Sequence, residues 1–200
     1  LVEGRGVVLV TDDQVGPLFG ESVKAALTGV SRLTEVVLPA GEAHKDMTSI
    51  QQILDAALAD RHERSSLFVA LGGGVVGDMT GFAAACFLRG ADFVQVPTTL
   101  LAQVDSSVGG KTGVNHKMGK NLIGAFHQPK QVLIDLDTLA TLPEREFSAG
   151  LAEVVKSGLI RDAEFFGWLI ENVAALKDRE PGAVAHAIQR SCAIKAAVVA

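Results

Sequence analysis

The stretch SLFVALGGGVVGDMTGFAAACFL (Ser66–Leu88) decides the fold. Its first six residues, 66–71, are expected to form a β-strand; the continuous apolar, β-branched run at 6–11 reads as a strand buried on both faces. Gly72, Gly74 and Gly77 follow at once in a G-x-G-x-x-G spacing, and a helix is expected through Met79–Leu88. In such a strand–turn–helix unit, glycines let backbone N–H groups approach a pyrophosphate, and the helix N-terminus favours negative charge. A purely structural Gly-rich turn would look the same. Two details depart from the simplest dinucleotide fingerprint: the loop follows the third visible strand, and no acidic residue ends a strand about 20 residues later.

Working outward, the same alternation continues on both sides. Strands are expected at 6–11 (GVVLVT), 34–38 (TEVVL) and 92–96 (DFVQV), with helices at 17–29 and from about Met47 to Asp60. The second helix carries Ile50, Ile53, Leu54, Ala57 and Leu58 on one stripe. Residues 97–130 read as loop-rich and polar, but Val104, Val108, Leu122, Ile123 and Phe126 favour an ordered binding loop over a linker. A further strand is expected at 131–136, and beyond Leu142-Pro143 only helices, at 144–158, 163–175 and 183–200. The fold class is therefore α/β: a Rossmann-like parallel-sheet domain over 1–143, followed by an all-helical domain over 144–200.

Composition narrows the function. The chain is 48% hydrophobic with a formal net charge of −5 and no run of Lys or Arg, which argues against nucleic acid as a partner. No apolar run reaches the roughly 18–20 residues that span a bilayer, and no signal peptide is visible. Cys86 and Cys192 lack CxxC partners, so a reducing, cytoplasmic setting is expected, with Cys86 a buried small hydrophobe in FAAACFL. The chain begins at Leu1 and stops at Ala200 within a helical pattern that has no Gly or Pro stop signal; an incomplete protein is expected.

Several residues stand where chemistry needs them, each with a plainer alternative. Asp12 ends the first strand and suits a ribose hydroxyl, or caps the following segment. Glu42 and Lys45 follow a strand end, where loops of a parallel sheet line the ligand crevice, or form a solvated pair. Thr98 and Thr99 offer hydroxyls to a cofactor, or cap the next helix. The stretch DSSVGGKTGVNHKMGKN (Asp105–Asn121) gathers Asp105, Lys111, Asn115, His116, Lys117, Lys120 and Asn121 among glycines; Lys111 and Lys120 with Asn121 would make an anion cradle for phosphate or carboxylate, or the stretch is a solvated loop. Its likeness to a Walker loop is superficial, because Asp105 stands where the first Gly is required. Glu153 and Lys156 share one helix face, either as an ion pair or with Glu153 as a metal ligand; no HxxxH pattern accompanies them. Lys195 lies among apolar neighbours on the last helix and either snorkels or binds a ligand.

Five segments together resemble the 3-dehydroquinate synthase family: GGGVVGD (Gly72–Asp78), VPTTLLAQVDSSVGGKT (Val96–Thr112), NH-x-x-GKNLIGAF-x-QP (Asn115–Pro129), TLP-x-REF (Thr141–Phe147) and GLAEVVK (Gly150–Lys156), in family order. The resemblance implies an NAD- and divalent-metal-dependent lyase (zinc or cobalt). Its substrate would be a phosphorylated sugar acid, 3-deoxy-D-arabino-heptulosonate 7-phosphate, cyclised with loss of phosphate while NAD is regenerated. It implies NAD contacts from Asp12, Glu42, Lys45, Gly73, Gly74, Val75, Gly77, Asp78, Thr98, Thr99, Lys120, Thr138, Leu139 and Thr141. It implies substrate contacts from Asp105, Lys111, Asn121, Lys156 and Lys195, and one metal ligand, Glu153, with two histidine ligands beyond Ala200. Arg89 would reach the substrate phosphate of a neighbouring subunit, which implies a homodimer. A related sugar-phosphate cyclase, a metal-dependent polyol dehydrogenase and a non-enzymatic nucleotide-binding domain are the competing readings.

Overall fold

Every residue of the strand Leu67–Gly72 is buried, as a strand covered on both faces must be. The computed structural model describes residues 2–199. In chain order the elements are β1 (Gly6–Asp12), α1 (Gly16–Ala26), β2 (Arg32–Leu38), α2 (Met47–Ala59), β3 (Leu67–Gly72), α3 (Gly74–Cys86), β4 (Asp92–Pro97), β5 (Lys111–His116), β6 (Gly119–Phe126), β7 (Gln131–Val132), α4 (Glu144–Arg161), α5 (Ala163–Glu171), α6 (Val173–Lys177) and α7 (Pro181–Val199).

Five strands form a sheet in the order β2-β1-β3-β4-β7, and each neighbouring pair is parallel. Side chains alternate across it. Val8, Val10, Phe68 and Ala70 face a layer containing Ile50, Ile53 and Ala57 of α2 and Val76, Met79 and Ala83 of α3. Val7, Leu9, Val69 and Leu71 face the other way, onto Phe19 and Val23 of α1. The chain returns from β2 to β3 past β1, so the strand order reverses between β1 and β3. In an open α/β sheet, the crevice outside the carboxyl ends at that switch point is where ligands bind. Val10 pairs with Ala70; continuing this register puts Asp12 level with Gly72.

The chain divides into two compact units. One comprises the residues up to Pro97 together with Gly110–Leu133; the other comprises Thr98–Gly109 and the residues from Ile134 onward. This grouping differs from a single cut at 143, because Leu100 and Val104 share a core with Leu139, Phe147, Val154, Phe165, Leu169 and Ile188 of the helical unit. Within that unit the Arg179 guanidinium stacks on the Phe147 ring at 4.5 Å and donates to the Leu139 carbonyl at 2.5 Å.

Helix α3 explains how the first unit is assembled. Gly77 and Gly81 lie one turn apart on one face. A Cβ at Gly77 would sit 2.7 Å from Gln95 Oε1; one at Gly81 would sit 2.5 Å from Thr112 Cγ2 and 2.9 Å from Phe93 Cζ. The missing side chains let the helix lie directly against β4 and β5. Ala83 and Ala84 are fully buried, while Cys86, in the last turn, faces solvent, contrary to the expectation for it.

Other expectations need correcting. The supposed loop at 97–130 contains an antiparallel hairpin, β5–β6, with Gly113 opposite Gly124. Its inner face places Val114, Ile123 and Ala125 on the core, but Leu122 and Phe126 on the outer face are 61% and 83% exposed. Apolar residues on both faces hide the alternation that would mark a strand. The strand expected at 131–136 lasts only two residues, Gln131–Val132, before Asp135 caps a 3-10 turn over Leu136–Thr141. The helix expected to start at Met79 begins at Gly74. The one expected at 163–175 breaks at Asn172, and Leu58 is exposed rather than part of the α2 stripe. The last expected helix position, Ala200, lies outside the described residues.

At the amino ends of the strands a polar cavity of about 220 Å³ is lined by Arg32, His62, Ser65 and Ser66, among others. His62 is buried there, with Nε2 2.8 Å from Thr34 Oγ1 and Nδ1 3.0 Å from Ser66 Oγ. Desolvation pushes its pKa below the ordinary value; Asp60 opposes this shift and Arg32 adds to it. The folded state thus favours neutral imidazole, whereas the unfolded chain takes up a proton near pH 6.5.

Two measurements follow. Gly81→Val is expected to lower unfolding free energy by about 1–3 kcal/mol in urea titrations, and Thr112→Ser, which removes the obstructing methyl, to recover part of it. Stability is expected to be insensitive to His62 above about pH 6.5 and to decline as pH falls below it; in His62→Gln that part of the slope should vanish.

Candidate functional site

In the first unit, the site is organised around a buried lysine. Lys45 leaves the 3-10 turn Glu42–His44 and is only 4% exposed. Its Nζ donates to Asp78 Oδ2 of α3 at 2.6 Å and to Asn121 Oδ1 of β6 at 2.6 Å. Its carbonyl accepts from the backbone N–H of Asn115 at 2.8 Å. Asn115 Oδ1 in turn accepts from the backbone N–H of Asn121 at 2.9 Å, and Asn115 Nδ2 donates to Glu42 Oε1 at 2.9 Å. Lys120 lies 3.5 Å from the same carboxylate. Desolvation pushes the Glu42 pKa up, but the Asn115 hydrogen bond and the charges of Lys45 and Lys120 outweigh it and hold the carboxyl below the ordinary range. Sequence reasoning named Glu42, Lys45, Asp78, Asn115, Lys120 and Asn121 but not their contacts; the structure joins them, with Asn115 bonded to Lys45, Glu42 and Asn121.

The start of α3 fits a pyrophosphate. Gly73 caps the helix in extended conformation without a side-chain partner, and no acidic residue stands in the first turn. A Cβ at Gly72 would lie 2.8 Å from Val76. The N–H groups around Gly73, Gly74 and Val75 therefore meet no side-chain oxygen of their own at the cap, the arrangement an anionic ligand completes. At the end of β1, Asp12 Oδ1 accepts from the N–H groups of Gln14 and Val15 at 3.0 and 2.8 Å, which is the capping alternative raised for it. Lys111 opens β5, exposed and with no ion pair among the described residues. Arg89 is also exposed, with φ of +70° after Leu88 at +47°. This left-handed turn is closed by the Gly90 N–H on the Phe87 carbonyl, and Arg64 donates to the Leu88 carbonyl.

The second unit has its own polar group. After Thr98 and Thr99 the chain forms a π-helical turn, Ala102–Ser106, a form concentrated at functional sites. Lys195 Nζ of α7 donates to the Asp105 carbonyl at 2.7 Å and to Asp105 Oδ1; it does not simply extend to solvent. Lys156 donates to Glu153 Oε1 at 2.6 Å. This bond and the carboxylate charge raise the Lys156 pKa, with Asp105 adding a smaller contribution. Thr99 Oγ1 accepts from the Ala102 N–H at 3.2 Å, while the buried Thr98 hydroxyl meets no partner among the described residues. Thr138 Oγ1 donates to the Asp135 carbonyl and accepts from Gln103 Nε2; Thr141 Oγ1 donates to the Thr138 carbonyl at 3.4 Å; Leu139 belongs to the core. Gln103, fully buried and bonded to both Asp135 and Thr138, is a structural hub that sequence reasoning missed.

A metal is less well served. Among the described residues no group of three His, Cys, Asp or Glu side chains could hold an ion. Glu153 supplies one carboxylate, and one carboxylate does not close a zinc site. No helix of the described residues is long and apolar enough to cross a membrane.

A family model described as 3-dehydroquinate synthase N-terminal matches residues 35–149, and one described as 3-dehydroquinate synthase C-terminal matches residues 150–200. The chain is 60% identical over 198 residues to a 3-dehydroquinate synthase of Pseudomonas putida (strain W619), covering 99% of this chain and 54% of that one. Among solved structures it is similar to ValA, a 2-epi-5-epi-valiolone synthase from Streptomyces hygroscopicus subsp. jinggangensis 5008 with NAD+ and Zn2+ bound (TM-score 0.89, 35% identity, 96% of this chain and 54% of that one). It is also similar to 2-deoxy-scyllo-inosose synthase complexed with carbaglucose-6-phosphate, NAD+ and Co2+ (TM-score 0.88, 27% identity, 98% and 55%). The chain spans about half the length of the curated relatives it matches. With one family model running from within β2 through β3, β4 and the hairpin, and a second taking over within α4 where the Glu153–Lys156 pair stands, the chain belongs to the 3-dehydroquinate synthase family.

Proposed function

We propose that this chain contributes the NAD-holding part, and part of the substrate-holding machinery, of a 3-dehydroquinate synthase. Such an enzyme converts 3-deoxy-D-arabino-heptulosonate 7-phosphate to 3-dehydroquinate and phosphate in aromatic amino acid biosynthesis. The carrying observation is the 60% identity to a protein of that activity over 198 residues, a stretch that includes all the site residues described above. Bound NAD would supply reversible hydride transfer, and a divalent metal would polarise a hydroxyl.

The chain's own residues supply binding, orientation and charge. Gly73, Gly74 and Val75 offer backbone N–H groups to the pyrophosphate, with Thr98 and Lys120 as further cofactor contacts. Lys111 and Asn121 receive anionic or hydroxyl oxygens of the substrate. Asp105, Lys156 and Lys195 form a second polar group whose lysines are already oriented by carboxylates, so little side-chain order is lost when a ligand arrives. Glu153 is one metal ligand of an incomplete set. Arg89 would serve a neighbouring subunit in a homodimer, a reading that its exposure on a left-handed turn supports. A soluble, cytoplasmic enzyme acting on a small phosphorylated sugar acid fits the net charge of −5 with isolated lysines.

A phosphate-release assay on the full-length protein tests this reading. Inorganic phosphate should appear from 3-deoxy-D-arabino-heptulosonate 7-phosphate with no net NADH absorbance. Accumulating NADH would point to a dehydrogenase; release only from another sugar phosphate would point to a different cyclase. In Glu153→Ala, bound zinc measured by elemental analysis should fall while NAD affinity is kept; an unchanged metal content would remove Glu153 from the metal site.

A further inference from the structure

We propose that the cavity at the amino ends of β1, β2 and β3 binds a small phosphate-type oxyanion, free or carried on a small organic molecule, through the guanidinium groups of Arg61 and Arg32. The cavity of about 220 Å³ lies wholly within the first unit. It stands at the end of the sheet opposite the β1–β3 crevice, about 20 Å away along a strand. It is therefore separate from every contact assigned above to cofactor, substrate or metal.

The backbone of Arg61 singles the cavity out. Helix α2 ends at Ala59, and the chain leaves it through a Schellman motif. The His62 N–H donates to the Ala57 carbonyl at 2.9 Å, and the Arg61 N–H to the Leu58 carbonyl at 3.0 Å. Arg61 thus occupies the position after the cap, with φ of +55°. Glycine is the usual residue there, because a Cβ is penalised in the left-handed region. A non-glycine side chain held at such a position points to a use beyond the fold. Arg61 has no evident use within it. The residue is exposed, and its guanidinium takes part in no hydrogen bond or ion pair among the described residues. It does not serve the helix end either, since the Asp60 carbonyl accepts from Arg32. What Arg61 does is line the cavity, together with Arg32, Ser31 and Ser65.

The remaining wall is already satisfied. Thr34 Oγ1 donates to Asp60 Oδ2, so toward His62 it accepts, and the imidazole proton sits on Nε2. His62 Nδ1 then accepts from the Ser66 hydroxyl, which itself accepts from the Glu63 N–H. The nearby Arg5 gives its guanidinium to the carbonyls of Ser65 and Ser66 and to Asp92. The positive charge left to the cavity is that of Arg32 and Arg61, and of the lining residues only Glu63 opposes it. Two guanidiniums beside two serine hydroxyls form a donor set for phosphate oxygens.

The test uses arginine modification by phenylglyoxal in the full-length protein, mapped residue by residue by peptide mass spectrometry. Chloride is compared with inorganic phosphate and with glycerol 2-phosphate at equal ionic strength. Inorganic phosphate should slow modification of Arg61 and Arg32 at least about threefold, while the exposed Arg145 of the helical unit reacts at one rate throughout. Equal protection by glycerol 2-phosphate extends the site to phosphomonoesters; its failure restricts the site to the free ion. No protection by inorganic phosphate, or equal protection of Arg145, would overturn the proposal. Arg61→Gly separates binding from structure. Without anion it should unfold in urea at or above the wild-type midpoint, since glycine suits the left-handed position, and phosphate should no longer protect Arg32. A less stable variant, or continued protection of Arg32, would show that Arg61 is structural and not a ligand. Glu63→Gln should reach half-protection at about two- to threefold lower phosphate; an unchanged or higher concentration would count against an anion in this cavity. None of these readouts uses turnover, so they stand or fall independently of the proposed enzymatic activity.

Discussion

The close approach of α3 to the sheet and hairpin is the constraint on which the first unit depends. Gly77 and Gly81 remove the side chains that would hold the helix away from Gln95, Phe93 and Thr112, while Val76, Met79, Phe82, Ala83 and Ala84 of the same helix are buried in the core shared with α2 and the sheet. With its axis so placed, the helix begins beside the β1–β3 switch point and carries Asp78 to within 2.6 Å of Lys45 Nζ. Dispersion contacts fall off steeply with distance. A helix displaced by a single methyl group would loosen this packing and separate the Asp78 carboxylate from its partner.

The Lys45–Asp78 pair cannot be valued for stability alone. An ammonium at 4% exposure has lost most of its hydration, and a buried ion pair often does no better than a well-packed apolar pair. Loss of one partner is a different matter, costing about 3–5 kcal/mol in comparable cases. The pair therefore acts as a specificity device. It fixes how the loop after β2, helix α3 and strand β6 meet, three segments far apart in sequence, and the Asn115 bonds close the arrangement into a ring that tolerates few alternatives.

Much of this was legible from the chain. The apolar, β-branched run at 6–11 and the strand–helix alternation predicted the parallel sheet, because a strand covered on both faces leaves a hydrophobic signal. The hairpin was not legible, since Leu122 and Phe126 stay exposed while Ile123 and Ala125 turn inward, so period-two contrast is absent. Nor was the membership of Thr98–Gly109 in the helical unit, which depends on Leu100 and Val104 finding partners more than thirty residues downstream. The site residues could be named one at a time from family motifs. Which of them touch could not, because a glycine that would open a loop to phosphate reads the same as a glycine that brings α3 close, as Gly77 does against Gln95.

The charged residues share one pattern in both units. Lys45 is paired with Asp78, Lys120 with Glu42, Lys156 with Glu153 and Lys195 with Asp105. The exposed members of this set add little to stability, since surface pairs contribute about 0–1 kcal/mol. Their effect is geometric: each long, rotamer-rich side chain is held in place before any ligand arrives, and its charge is largely neutralised by its own carboxylate. Lys111 is different, exposed at the start of β5 without such a carboxylate. A ligand anion near it would meet an uncompensated charge, whereas near the paired lysines it would meet shaped donors. In each unit, then, paired lysines are oriented donors, and in the first unit Lys111 stands apart as a charge without a carboxylate among the described residues.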